Sequence, residues 1–159
     1  MERPWNKYVI EECGDSLEDL PSLIHCLEPH PYLALGAPYP KGMNPWRLRS
    51  RIIPLLLEAQ SNLQEDHPSL RLSVFDALRP VSVQAFMVEY SINQKCLDNG
   101  IDRKNKNHSN QVDNVVMDVS KFWATPTLDP AAPPPHSIGG AIDITLSYLD
   151  GSQVYMGGK

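Results

Sequence analysis

The chain has 159 residues, a formal net charge of −5, and hydrophobic and charged shares of 42% and 21%, which are the proportions of an ordinary globular protein large enough for one buried core. The acidic balance, with a sequence pI near 5.4, excludes nucleic-acid binding through a basic stripe. No segment of the sequence approaches the roughly 18 apolar residues that a membrane helix needs.

The first residues, Met1-Glu2-Arg3-Pro4-Trp5, lack the apolar core of a signal peptide, so the expected location is cytoplasmic. Cys13, Cys26 and Cys96 are odd in number and show no Cys-x-x-Cys spacing, which fits reduced thiols rather than a disulfide framework or a cysteine-type zinc site. The densest basic stretches, Arg47-Leu48-Arg49-Ser50-Arg51 and Arg103-Lys104-Asn105-Lys106, are short and read as solvated faces. The 15 prolines are spread out and cluster only at Pro133-Pro134-Pro135, as rigid loops require.

In chain order, Asp15 to Leu27 reads as a short helix or loop, with Ser16 as an N-cap candidate. His25 and His30 read as surface or hydrogen-bonded core histidines rather than ligands. The stretch His30 to Trp46, rich in Pro, Gly, Tyr and Asn, reads as an ordered loop whose aromatic residues line a cleft. From Trp46 to Gln64 the pattern turns helical. Ile52, Ile53, Leu56, Leu57, Gln60 and Leu63 share one face, Pro54 is tolerable only in the first turn, and His67-Pro68 ends the helix. Leu70 to Phe75 is a central-strand candidate leading into Asp76-Ala77-Leu78-Arg79-Pro80. Val81 to Leu97 follows as the clearest helix, closed by Asn99-Gly100. Arg79 thus sits at a strand-to-helix junction, where rigid backbone can aim it into a cleft or hold it in a structural ion pair. Ile101 to Gln111 reads as a polar loop containing His108. Val112 to Phe122 is apolar without a decisive period. After Leu146, Asp150-Gly151 signals a hairpin returning through Ser152 to Met156.

The chemistry concentrates in Pro135-His136-Ser137-Ile138-Gly139-Gly140-Ala141-Ile142-Asp143. Six residues separate His136 from Asp143, so one helical turn cannot hold both, but a Gly-Gly turn could fold the histidine back over a strand that begins at the aspartate. Zinc accepts both ligand types, and a catalytic zinc site normally has three protein ligands with one position open. Arg79 could steady an oxyanion beside such an ion. A glycine turn with a hydrogen-bonded histidine before a strand explains the same residues equally well. A serine-hydrolase reading of His136-Ser137 fails, because sequence neighbours cannot form nucleophile and base and no Gly-x-Ser-x-Gly elbow is present.

The segment Pro135 to Asp143, with Phe75-Asp76-Ala77-Leu78-Arg79-Pro80 upstream, resembles the zinc D-alanyl-D-alanine dipeptidases of the vancomycin-resistance type. These are relatives of the D-Ala-D-Ala carboxypeptidases and of the hedgehog signalling domain, and the likeness runs from about His30 to the C-terminus. The resemblance implies Zn2+ as cofactor, His136 and Asp143 as metal ligands, and Arg79 as the residue that stabilises the transition state. Leu78 stands where the family usually has tyrosine. It also implies an α+β fold: a small, mainly antiparallel sheet with helices packed against it and zinc at its centre.

The family's third zinc ligand is a histidine in a downstream Glu-x-x-His segment whose glutamate is general base and acid. No Glu-x-x-His occurs in this sequence, and His25, His30, His67 and His108 precede the motif. Residues 1–159 therefore read as a single dipeptidase-like domain without that C-terminal part. The expected substrate is the small dipeptide D-Ala-D-Ala, with neither nucleic acid nor membrane as partner and no signal for an oligomeric state. The alternatives are a catalytically inactive module that binds peptidoglycan peptides and a related D,D-carboxypeptidase or endopeptidase.

Overall fold

The computed structural model describes residues 10–157. The Met1 to Trp5 segment, read above for a signal peptide, lies outside them. The chain divides into two compact units, one holding Glu12–Pro80 with the segment from Pro135 on, the other holding Val81–Pro134.

The first unit carries the motif residues. Its strands are β1 (Leu17–Asp19), β2 (His25–Cys26), β3 (Arg47–Arg49), β4 (Leu70–Asp76) and β5 (Asp143–Tyr148), and its helices are the single turn α1 (Pro31–Ala34) and α2 (Ile52–Asp66). β1 and β3 form an antiparallel pair, while β4 is the middle of a three-stranded sheet in the order β2-β4-β5. β2 runs parallel to β4, and β5 runs antiparallel. The fold is therefore α+β with two of three strand pairings antiparallel, as expected.

The core forms where the periodic face of α2 meets the inward residues of β4. Ile24, Leu48, Leu56, Leu72, Val74 and Ala77 are buried together, with Ile52, Ile53, Leu57, Leu63, Ile142 and Leu146 packed around them. Leu48 and Val74 are fully buried, so truncating either to alanine removes packing worth about 2–5 kcal/mol. Gln60, polar but buried on the same face, offers its side-chain oxygen to the Leu72 N–H at 2.7 Å and ties helix to strand. Pro54 falls in the first turn of α2, where a missing N–H leaves no bond unmade.

Four sequence expectations change in detail. The helix expected from Trp46 begins only at Ile52, because Arg47–Arg49 pairs with β1 as β3. Asp15 to Leu27 is neither helix nor featureless loop: it supplies β1 and β2. These strands are too short for their own periodicity to be read, and they exist because β3 and β4 offer ladders to pair with. The basic stretch Arg47 to Arg51 is not a free cationic face, since Arg47 pairs with Asp19, Arg49 with Glu12 and Arg51 with Asp15. The hairpin after Asp150-Gly151 returns, but only as a Ser147–Gln153 bridge rather than a strand.

The second unit contains α3 (Val81–Asp98) and α4 (Ser109–Val119). α3 matches the expected helix and ends at Gly100, whose φ of 66° is one glycine adopts without strain. The unassigned Val112 to Phe122 stretch lies largely in α4, whose Val115 and Val119 pack on Ile92 and Cys96 of α3. The loop expected over Ile101 to Gln111 gives way at Ser109 to that helix. No helix among the described residues is long and apolar enough to cross a membrane.

Candidate metal centre

Pro135–Ile138 forms a single 3-10 turn. The chain then reverses at Gly139, with φ 68°, and the Gly140 N–H closes the turn on the Pro135 carbonyl at 3.0 Å. A side chain at Gly139 would meet Leu17 Cδ2 at 2.3 Å, so both backbone sign and space call for glycine there. β3 fixes the reversal: the Arg49 N–H donates to the Gly139 carbonyl at 3.0 Å, and Arg49 Nε to the Ile138 carbonyl at 2.8 Å. The turn lays His136 over the start of β5, and its Nε2 comes within 3.6 Å of Asp143 Oδ1. The folding back expected from the Gly-Gly pair is present.

A register shift in the sheet supplies the opposite wall. Val74 pairs with Ile144, yet Asp76 pairs with Asp143, so Phe75 is an extra residue on β4. Regular pairing would set Asp76 against Ile142. Bulges of this kind re-aim a side chain, and here the result is two carboxylates facing each other. Arg79 stands between them. Its Nη2 lies 2.7 Å from Asp76 Oδ2 and 2.8 Å from Asp143 Oδ2, and its Nε donates to Asp76 Oδ2 at 2.8 Å. The Arg79 N–H donates to the His136 carbonyl at 3.1 Å, and the Leu78 N–H to the Pro45 carbonyl at 2.9 Å, which fix the junction after β4.

Asp76 is fully buried, and a buried carboxylate is tolerable only when its oxygens are satisfied. Oδ2 faces Arg79 and, at 3.4 Å, His136 Nδ1. Oδ1 accepts from the Tyr39 hydroxyl at 2.9 Å and lies 3.3 Å from His30 Nε2. The rings of Tyr32, Tyr39 and Trp46 surround His30, with centroids 5.8, 5.1 and 4.5 Å away. The Arg79 guanidinium also lies 5.0 Å from the Tyr32 ring centroid, a cation–π distance.

Asp76, His136 and Asp143 each present a ligand atom within 4.8 Å of the others. His136 Nδ1 lies 3.0 Å from the Ala77 carbonyl. A carbonyl can only accept, so the proton sits on Nδ1 and the Nε2 lone pair is left facing Asp143, the arrangement of a metal-ligating histidine. Two atoms each about 2.0–2.2 Å from a tetrahedral zinc lie about 3.3–3.6 Å apart. The separation between Nε2 and Oδ1, 3.6 Å, fits that span. Asp143 is also in the right charge state. In the metal-free chain burial pushes its carboxyl up, but the hydrogen bond and charge that His136 offers when Nε2 is protonated as well, with the Arg79 guanidinium, outweigh this and hold its pKa below the ordinary value. Tyr39 is shifted the other way by burial and by the Asp76 carboxylate, and Tyr32 mainly by burial, so both hydroxyls keep their protons.

The structure thus brings together all three residues singled out in the sequence: Arg79, His136 and Asp143. Sequence reasoning missed Asp76, Tyr39 and the role of His30. Asp76 carried a usable signal, three residues before Arg79 at the end of a strand; Tyr39 and His30 carried none beyond the aromatic content of their loop. The bland reading of the other histidines holds. His25 Nδ1 is 2.8 Å from Ser73 Oγ, and His108 Nδ1 accepts from the Asp102 N–H at 2.9 Å.

The chain is 36% identical over 158 residues to a D-alanyl-D-alanine dipeptidase of Synechocystis sp.. That alignment covers 99% of this chain and 63% of the relative, so the chain spans less than two thirds of that protein's length. Among solved structures it is similar to the vancomycin-resistance D,D-pentapeptidase VanY, from a VanB-type resistance cassette and in complex with Zn(II). That match has a TM-score of 0.49 and 16% identity, covering 67% of this chain and 51% of the other. The family model for D-ala-D-ala dipeptidase matches residues 49–159, which include β4, Arg79, the glycine turn and β5. The chain belongs to the D-ala-D-ala dipeptidase family.

Proposed function

We propose that this chain carries the zinc-holding and charge-stabilising part of an enzyme that hydrolyses D-Ala-D-Ala to D-alanine, as the family and the Synechocystis relative suggest. The single observation that carries the reading is the approach of His136 Nε2 to Asp143 Oδ1 beside an arginine held 2.8 Å from that aspartate. His136 and Asp143 are the zinc ligands in this proposal, and Asp76 orients them. Both Asp76 oxygens already face donors, which favours an anchoring carboxylate over a ligand. Zinc supplies a Lewis-acid charge that polarises the scissile carbonyl and activates water.

The chain's own residues do the rest. Ala77 and Asp76 hold the His136 ring in its tautomer. Arg79 presents fixed positive charge where the substrate carbonyl oxygen gains negative charge, and its cost of organisation is met in advance by Asp76. Loss of one such donor typically slows an enzyme by about a hundred- to a thousandfold.

D-Ala-D-Ala is the proposed substrate and cell-wall metabolism the proposed setting. Cys13, Cys26 and Cys96 are all unpaired, which supports a reducing, cytoplasmic compartment. The test is D-alanine release from D-Ala-D-Ala by a protein that joins these residues to a Glu-x-x-His segment. Zinc-dependent release that Arg79→Ala lowers at least a hundredfold supports the proposal; no zinc-dependent release removes the substrate assignment.

A further inference from the structure

His30 is 2% exposed, yet it lies outside both the metal-ligand group and the hydrophobic core clusters. Two sets of partners define it. On one side Nδ1 accepts from the backbone N–H groups of Tyr32 and Leu33 at 3.2 and 3.5 Å, capping α1. An N–H can only donate, so Nδ1 carries the lone pair and the proton sits on Nε2. On the other side Nε2 makes its hydrogen bond with the Tyr39 hydroxyl at 3.5 Å, and that hydroxyl donates to Asp76 Oδ1 at 2.9 Å, with Nε2 itself 3.3 Å from the same oxygen. The cap therefore fixes the tautomer, and the tautomer aims a donor at the hydroxyl that holds the buried carboxylate.

We propose that His30 is a positioning residue for the metal centre: with Tyr39 it pins Asp76 Oδ1, so that Oδ2 stays on Arg79 and beside His136. The catalytic relevance rests on the function proposed above; the positioning itself does not. Without the Nε2–H, the Tyr39 hydroxyl loses the donor that orients it toward Asp76 Oδ1, the carboxylate is held less firmly, and the Arg79 Nε bond at 2.8 Å is the first to weaken. The rings of Tyr32, Tyr39 and Trp46 exclude water that could otherwise replace the lost donor.

Two substitutions separate the two halves of the imidazole. His30→Asn keeps an acceptor near the Nδ1 position, where asparagine is a good cap, but cannot reach Asp76. His30→Gln extends an amide N–H to the Nε2 position and gives up the cap. The readout is hydrogen exchange of the Arg79 Nε–H by NMR in the metal-free chain, assigned by its disappearance in Arg79→Lys. Positioning predicts that His30→Asn accelerates exchange at least tenfold while His30→Gln stays within about threefold of the parent. The reverse order would show a helix cap and nothing more, and equal loss or equal retention in both variants would also overturn the proposal. Should His30→Asn not fold, Tyr39→Phe removes the hydroxyl between Nε2 and Asp76 without touching the cap; positioning predicts the same acceleration, and unchanged exchange would overturn it. Zinc titration of the parent chain is read separately, so failure of the zinc assignment cannot be mistaken for failure of the positioning.

Discussion

Asp76 and Asp143 are cross-strand partners on β4 and β5, two carboxylates set opposite each other by the extra residue Phe75. Like charges in that position destabilise a ladder. Arg79 reverses the sign by placing Nη2 within 2.7 and 2.8 Å of the two. The Asp76–Arg79 half of this bridge is buried, so removing the cation leaves an uncompensated interior charge. Arg79→Ala is expected to lower unfolding free energy by about 3–5 kcal/mol, read as a fall in the urea midpoint. Adding Asp76→Asn should recover part of that loss, because the stranded charge goes with it. A cost below about 1 kcal/mol for Arg79→Ala would show that the bridge matters little to the fold.

The depressed pKa of Asp143 makes a pH-dependent contribution to the stability of the metal-free chain. A carboxyl with a lowered folded pKa stabilises the fold above its ordinary value of 3.8 and loses that contribution as pH falls through the folded value. Urea melts in a chelator should therefore show parent and Asp143→Asn converging on acidification below that value. A gap between them that stays constant from neutral pH down to about pH 2 contradicts the assignment.

Gly139 and Gly140 differ sharply although they are neighbours. At Gly139 a positive φ combines with a 2.3 Å clash against Leu17, whereas an added methyl at Gly140 meets nothing nearer than 3.6 Å. Gly139→Ala is expected to cost about 1–2 kcal/mol and Gly140→Ala less than about half that, measured by thermal or urea unfolding. Equal costs would mean that the turn does not depend on the left-handed residue.

The three thiols should separate by rate. Cys13 is exposed and Cys96 buried, while burial, aided by Glu28, pushes the Cys26 thiol up to about 11. Since only the thiolate attacks, titration with Ellman's reagent at pH 8 should show one fast thiol, lost in Cys13→Ser, a slower one at half-buried Cys26, and Cys96 reacting only on unfolding. A second fast thiol in the native chain would contradict the raised pKa of Cys26.

The sequence revealed the site more clearly than the fold around it. α2, β4 and α3 declare themselves by period and by the prolines and glycines at their ends, and His136 and Asp143 stand either side of a glycine pair suited to a reversal. Asp76 stood in view three residues before Arg79, but its meeting with Asp143 depends on a register shift, which no local pattern encodes. β1 and β2 escaped because strands of three and two residues have no period to display. His30 was legible as a hydrogen-bonded core histidine, yet its partner Asp76 lies 46 positions away in sequence, beyond the reach of any spacing rule.

The central claim is that His136 Nε2 and Asp143 Oδ1 hold zinc together. Isothermal titration of zinc into the chain, compared with His136→Ala and Asp143→Ala, tests it most directly. The account predicts one bound zinc per chain and a loss of affinity of at least about a hundredfold in each variant, since each removes a direct ligand. Zinc bound equally well by both variants would contradict it.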